Sequence, residues 1–215
     1  MMIRLIREIE REARAHFEVA RGSHGWDHTE RVKRLALHIG RVEGADLAVI
    51  EIAALLHDIG RHREDESHGE ICHAEEGAKM AREILVRHGL DEGIVGRVVH
   101  AIEHHRFRKG KEPDTLEAKT LFDADKLDAI GAVGIGRAFL FAGENGARLH
   151  NTPGVDPLLF PAYGSEDTAY REFLHKLRHV RERMLTNEGR RLAEERHEFM
   201  LQFFDRLKEE IEGKI

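Results

Sequence analysis

One segment of the chain ends an apolar run in two groups able to hold a metal. In AALLHDIG, residues 53–60, two alanines and two leucines lead directly into His57 and Asp58. Carrying an imidazole and a carboxylate into an interior is costly unless both find partners, because buried polar groups need hydrogen bonds and buried charges need counter-ions. A metal ion meets both needs. A His-Asp pair alone arises often by chance, so its weight comes from context. His28 opens an earlier helical segment, and in LFDADKLDAIGAVGIGR the carboxylates Asp123, Asp125 and Asp128 stand in otherwise apolar sequence.

Asp125 falls four residues after Leu121 and four before Ala129, on an apolar helix face where an unpaired carboxylate is unfavourable. It is the expected inward carboxylate. Asp128 lies close to the same face and is a candidate to orient a ligand histidine from outside. Capping and surface charge are the competing roles for Asp123 and Asp128. Two imidazoles with two carboxylates form a mixed nitrogen and oxygen set suited to Mn, Fe, Ni, Co or Zn, with Mg admissible and Ca less fitting. Such an ion polarises a phosphoryl oxygen and lowers the pKa of a bound water towards ~7.

The chain holds 16 histidines, and imidazole is both the commonest metal ligand and the usual acid or base near neutral pH. His16, His38, His88, His175 and His179 are expected at the surface. His73 opens a helix, and His100, His104 and His105 cluster late in another. His104 is a candidate to protonate a leaving group, to steady a phosphate, or to join His73 around a second metal. His100 and His105 are expected to be exposed or hydrogen-bonded helix residues. An anionic substrate also needs cationic or donor groups, for which His24 in the SHGWDH turn, Arg31, Lys126 and Arg137 are candidates. Successive helix residues face about 100° apart, so Lys126 must reach around its helix to serve beside Asp125.

Helices must position these groups. Apolar residues recur at helical spacing, as in Val32, Leu35, Ala36 and Ile39, and strand-like alternation is missing, so the chain is read as all-α. The expected helices run near 2–20, 28–43, 46–58, 73–88, 91–106, 116–127, 129–142, 166–185 and 188–212. Asp27 with Glu30 resembles a capping box, and Thr115 and Ser165 are expected caps. At 215 residues the chain suits one domain, with a core near 20–145 and a C-terminal helical hairpin near 165–212 packed on it. HNTPGVDPLLFPAYGS, holding three of the four prolines, is the connecting loop.

The net charge of −6 argues against binding duplex nucleic acid, although a local basic pocket is compatible with it. Cys72, the single cysteine, has no intrachain partner, and no stretch approaches the roughly 20 apolar residues that span a bilayer. A cytoplasmic protein without membrane attachment is expected, with a homodimer as one open option.

SHGWDHTERV, LLHDIG, AIEHH, DADKLDAIGAVGIGR and TNEGRRLAEERHEFM extend over nearly the whole chain. Together they resemble the HD-domain superfamily of metal-dependent phosphohydrolases, and within it the YedJ-like subgroup of small bacterial and archaeal hydrolases. The resemblance implies an HD-type helical bundle with a central site and additional C-terminal helices. It implies His28, His57, Asp58 and Asp125 as metal ligands, with Asp58 and His104 at the chemistry. The implied activity is hydrolysis of phosphate esters or anhydrides by a metal-activated water, on a small phosphorylated substrate such as a nucleotide. The segment GRHREDESHGEIC departs from the Lys-Phe and Gly-Asp-Glu pattern of many relatives, which leaves substrate preference open. Two rivals remain. The ordered set His28, His57, Asp58, His73, His104 and Asp125 also suits di-iron oxygenases of the HD type, and a non-catalytic, metal-dependent nucleotide-binding module would need the same site.

Overall fold

A computed structural model describes residues 2–17, 25–106 and 112–215, and among these the regular elements are all helical. Contacts divide the chain into two compact units, Met1–Asp125 and Lys126–Ile215, a boundary well before the 145–165 region where the sequence places a change.

The first unit holds α1 (Met2–Ala15), α2 (Trp26–Glu43), α3 (Leu47–Leu56), α4 (Arg61–Glu66), α5 (His73–Arg87), α6 (Glu92–His104) and most of α7 (Leu116–Leu127). Helix α3 is its centre: Val49, Ile50, Ile52, Ala53, Ala54, Leu55 and Leu56 are all buried, and α1, α2 and α6 pack around it. Glu51 is the one charged residue of α3 and is half-buried, so the helix has little solvent face to present. Burial stabilises each large side chain by roughly 1.5–3 kcal/mol, so α3 is anchored before it delivers any polar group. Asp46 caps it, accepting from the amides of Ala48 and Val49.

Beyond α3 the chain turns sharply through His57–Gly60 into α4, a short helix absent from the sequence reading. Gly60 is required by packing. A Cβ there would lie 2.5 Å from the His73 carbonyl oxygen and 2.6 Å from the Gly77 amide nitrogen, both backbone atoms of α5. Gly77 faces it, and the pair lets the turn carrying His57 and Asp58 approach the start of α5.

Capping departs from expectation at two of three helices. The residue before α2 is Gly25, which offers no side chain; Asp27 lies in the first turn and pairs with Arg31 at 2.6 Å, while Glu30 accepts from Trp26 Nε1 at 3.1 Å. A carboxylate in the first turn still suits the helix dipole, so the same residue stabilises the same end by another route. Thr115 does cap α7, its Oγ1 accepting from the amide of Ala118 at 3.2 Å. In the second unit Thr168, not Ser165, is the cap, accepting from the Arg171 amide.

The second unit holds α8 (Gly131–Glu144), α9 (Ala169–His175) and α10 (Asn187–Ile211), with α8 packed on both α9 and α10. The helix expected over 166–185 breaks at Lys176 and continues as a 3-10 helix, Leu177–Arg183. Leu177 and Val180 are its buried residues, and their spacing of three is the 3-10 repeat. The loop between α8 and α9 is ordered around carboxylates: Glu166 accepts from the Thr152 amide and hydroxyl and from Asn151, and Asp167 from Arg171 and the Tyr163 amide.

Two glycine substitutions separate packing from propensity. Gly60→Ala should destabilise by roughly 1–3 kcal/mol, because backbone must move to admit the methyl. Gly96→Ala, inside α6 with nothing within 4 Å of the added atom, should be neutral or stabilise by up to ~1 kcal/mol. Urea midpoints of the two variants should therefore move apart, and equal midpoints would refute the close-approach account of Gly60.

Candidate metal centre

Six side chains from five places in the first unit converge. His28 comes from the first turn of α2, His57 and Asp58 from the turn after α3, His73 from the first residue of α5, His105 from the residue that ends α6, and Asp125 from α7. They form two groups whose ligand atoms all lie within 4.8 Å of one another: His28, His57 and Asp125, and Asp58, His73 and His105. Asp58 joins them. Its Oδ2 lies 3.7 Å from His28 Nε2 and 3.8 Å from His57 Nε2, while its Oδ1 lies 3.2 Å from His73 Nε2 and 3.8 Å from His105 Nε2. Asp125 Oδ1 is 3.4 Å from His28 Nε2.

The rings are fixed from behind. His57 donates through Nδ1 to the Ala54 carbonyl at 2.8 Å, and His105 donates through Nδ1 to the Ile102 carbonyl. His73 Nδ1 meets Glu64 Oε2 at 2.5 Å. An ionised carboxylate can only accept, so the hydrogen in this shortest contact is assigned to His73; Arg106 Nη1, which also lies 2.8 Å from His73 Nδ1, then directs its donors to the same carboxylate at 2.8 and 3.1 Å. With Nδ1 protonated, each of these three rings turns an Nε2 lone pair inward. His73 Nε2 and His105 Nε2 then face each other at 3.3 Å as two acceptors. That contact is repulsive unless a cation lies between them.

A proton does not supply the cation at neutral pH. Burial pushes His57 below the usual imidazole range and His105 well below it, and burial, opposed only in part by Asp58, pushes His73 down to about 4. Asp58 is also buried, which by itself would raise its pKa. Proton-bearing His57, the guanidinium of Arg61 and proton-bearing His73 outweigh that and hold it well below the usual carboxylate range, and once the rings are neutral Arg61 is the cation that remains beside it. Arg61 Nη2 contacts both oxygens of Asp58 at 3.3 and 3.2 Å, and its Nη1 lies 3.5 Å from Glu64. Neutral imidazoles aimed inward around an ionised carboxylate form a donor set that a divalent metal fits.

The structure sorts the expected site residues. His28, His57, Asp58, Asp125 and His73 are brought together. His104 is not: it is half-exposed, donates to the His100 carbonyl at 2.8 Å, and stacks on the His100 ring with centroids 4.1 Å apart. His105 takes the place expected for His104, because one residue turns a side chain about 100° around the helix. The signal was in the spacing, since His105 follows Val98, Ala101 and Ile102, all buried, by seven, four and three residues. Arg31 is engaged by Asp27, and Lys126 follows Asp125 in α7 and opens the second unit. Arg137 pairs with buried Asp128 at 2.7 Å, and Asp123 is buried as well, so neither acid is a surface charge. His24 lies outside the described residues. His16, His38, His175 and His179 are exposed, and His88 is half-buried beside Glu12. Glu64, Arg61 and Arg106 were missed, and nothing in the pattern of a charged, non-periodic segment marks Glu64 as inward.

The fold agrees with the comparisons. The HD domain family is matched over residues 25–130, a stretch that contains all six converging side chains, and the chain belongs to the HD-domain superfamily. The YpgQ protein of Bacillus subtilis is 41% identical over 194 residues, covering 88% of this chain and 85% of the relative. The crystal structure of YpgQ superposes with a TM-score of 0.76 at 35% identity, covering 98% of this chain and 97% of that one. A crystal structure of YpgQ in complex with ADP gives 0.75 at 34% identity, covering 97% and 96%. A predicted HD superfamily hydrolase from an uncultured Thermotogales bacterium gives 0.69 at 33%, covering 95% and 91%.

The neutral rings carry a pH signature in protein stripped of metal. His73 has a pKa of about 4 when folded against 6.5 as reference, so between these values the unfolded chain holds a proton that the folded chain does not. Stability should therefore fall as pH drops from 6.5 to 4, by ~3 kcal/mol for His73 alone. Urea midpoints of the chelated protein measured at intervals across this range should decline steadily, and a flat profile would contradict neutral buried rings.

Proposed function

We propose that the protein is a metal-dependent phosphohydrolase of small phosphorylated substrates, nucleotides foremost, and that it holds two ions. The carrying observation is the Asp58 carboxylate standing between two sets of inward imidazoles. His28, His57, Asp58 and Asp125 would hold one ion, and Asp58, His73 and His105 the other. A bound divalent ion of the Mn, Fe, Ni, Co, Zn or Mg type supplies Lewis acidity towards a phosphoryl oxygen and a water of lowered pKa.

The chain's own residues do the rest. Asp125 has a side chain 17% exposed, against about 1% or less for the histidines and Asp58, so substrate approaches from its side. Arg61 keeps Asp58 ionised and in place. Its Nε is buried without a hydrogen-bond acceptor, which leaves a donor for an anionic oxygen close to the carboxylate. Glu64 and Arg106 hold His73 in the tautomer that faces inward. Lys126, and His24 of the SHGWDH sequence, remain candidates for further phosphate contacts. The ADP complex of YpgQ supports a nucleotide as substrate class, and the motifs quoted above support placement in the YedJ-like subgroup. No helix among the described residues is long and apolar enough to cross a membrane, in keeping with a dissolved small-molecule substrate. The paired ligand groups favour one alternative, a di-iron oxygenase using the same six residues.

Metal content distinguishes the two neighbouring histidines. His105→Ala should lower bound metal from about two ions per chain towards one, whereas His104→Ala should leave it unchanged, measured by elemental analysis of protein purified without a chelating tag. The reverse pattern would restore His104 to the centre. In a screen of nucleotides and small phosphate esters with Mn, Ni, Co or Mg, the wild type should release phosphate or pyrophosphate, and Asp58→Asn should be slower by at least ~100-fold. Oxygen consumption by the iron-loaded protein without phosphate release would select the oxygenase instead.

A further inference from the structure

Helix α1 carries a second feature, unrelated to the His and Asp cluster. Arg4, Arg7, Arg11 and Arg14 recur at spacings of three, four and three, which places them on one stripe opposite the buried Ile6, Ile9 and Ala13. At 1.5 Å per residue the stripe runs for about 15 Å. Like charges at these spacings repel, so an arrangement of this kind is unfavourable in the absence of an anion. The stripe borders a cavity of about 580 Å³ that Trp26 of α2 also lines, together with Glu8, Glu10 and Glu30.

The carboxylates of that cavity already have partners, two of them within the lining itself. Glu8 pairs with Arg4 at 3.0 Å, Glu10 with Lys33 at 2.5 Å, and Glu30 accepts from Trp26 Nε1 and lies 3.5 Å from Arg34. Arg7 and Arg11 make no ion pair among the described residues, and Arg14 lies over the Trp26 ring, 5.9 Å from its centroid. The surplus is positive in a chain whose net charge is −6. Trp26 is fixed at one edge by Glu30 and packs against Phe17, with ring centroids 5.6 Å apart, so its ring is a rigid wall of the cavity.

We propose that this cavity binds a phosphate chain carrying a nucleobase, with phosphates on Arg7, Arg11 and Arg14 and the base against Trp26. Guanidinium forks match phosphate oxygens in pairs, and an indole face stacks any base. The cavity volume lies within the range of small-ligand sites. The guanidiniums of Arg7, Arg11 and Arg14 extend along about 10 Å of helix, a length that suits the phosphates of a nucleoside triphosphate or those of a short single strand. Trp26 precedes His28 by two residues on α2, so a ligand here bears on the helix turn that positions a member of the cluster. The inference stands whether or not the protein is a hydrolase.

Trp26 is the only tryptophan in the sequence, so its fluorescence reports on this cavity and, through the first turn of α2, on the neighbouring cluster, two sources that the arginine variant separates. The full-length protein would be titrated with a non-hydrolysable ATP analogue, adenosine, tripolyphosphate and a four-residue oligothymidylate. A saturable fluorescence change is expected with the ATP analogue, and Arg7→Ala/Arg11→Ala should weaken that binding at least tenfold while circular dichroism and metal content stay unchanged. Tripolyphosphate should compete without reproducing the full change, and adenosine should bind far more weakly. Tighter, salt-sensitive binding of the oligothymidylate would support the site and assign its phosphates to a single strand. The proposal is overturned if no probe alters the fluorescence, or if the double variant binds the ATP analogue as tightly as the wild type.

Discussion

Asp58 places an ionised carboxylate almost wholly out of water, and the rest of the first unit is arranged around keeping it so. Alone, such a group would take up a proton, because its charged form loses hydration. Here four imidazole nitrogens lie within 3.8 Å of its two oxygens and a guanidinium spans both. The imidazoles cannot all serve as donors, since the rings of His57, His73 and His105 spend their Nδ1 hydrogens on Ala54, Glu64 and Ile102. Negative and lone-pair density thus exceeds the available hydrogens, and a cationic ligand resolves the imbalance. This accounting, more than any motif, makes the cluster a metal centre in the proposed reading.

Building such a cluster requires backbone segments to meet closely before side chains do. The apolar α3 supplies the anchored base, and the contact of Gly60 with the first turns of α5 brings Asp58 Oδ1 within 3.2 Å of His73 Nε2. Glu64, on the short helix that follows, reaches back to His73, and Arg61 and Arg106 close the circuit. A larger residue at position 60 would separate two ligands that no side-chain motion could bring back, which gives the glycine of LLHDIG a steric role as definite as the chemical role of the residues before it.

How much of this was legible follows from the physics of each signal. The helical class, eight helices of the two units and the convergence of His28, His57, Asp58 and Asp125 were open to periodicity, burial cost and motif resemblance. The break at Lys176 was hidden because no Gly or Pro marks it, and only the spacing of Leu177 and Val180 points to the tighter 3-10 winding. Expecting Asp27 as a cap failed because Gly25 lets α2 begin two residues earlier. Motif resemblance points to His104, whereas Val98, Ala101 and Ile102 mark the buried side of α6 that His105 shares. Glu64 was beyond reach: its partners His73 and Arg106 lie 9 and 42 residues away, and only the folded chain relates them.

The same electrostatics tie the candidate metal centre to the stability of the unit that holds it. Facing lone pairs at 3.3 Å and a desolvated carboxylate are unfavourable in the empty protein, so the ligand cage stores strain that ion binding relieves. Ion binding to the folded state alone would then raise stability by mass action. Apolar burial in α3 must be large enough to hold the cage together without the ion, for otherwise the ligands would not be poised to receive it. An apolar helix ending in His and Asp is therefore one solution to two demands: the hydrophobic run provides the free energy, and the two residues at its end turn that free energy into a site.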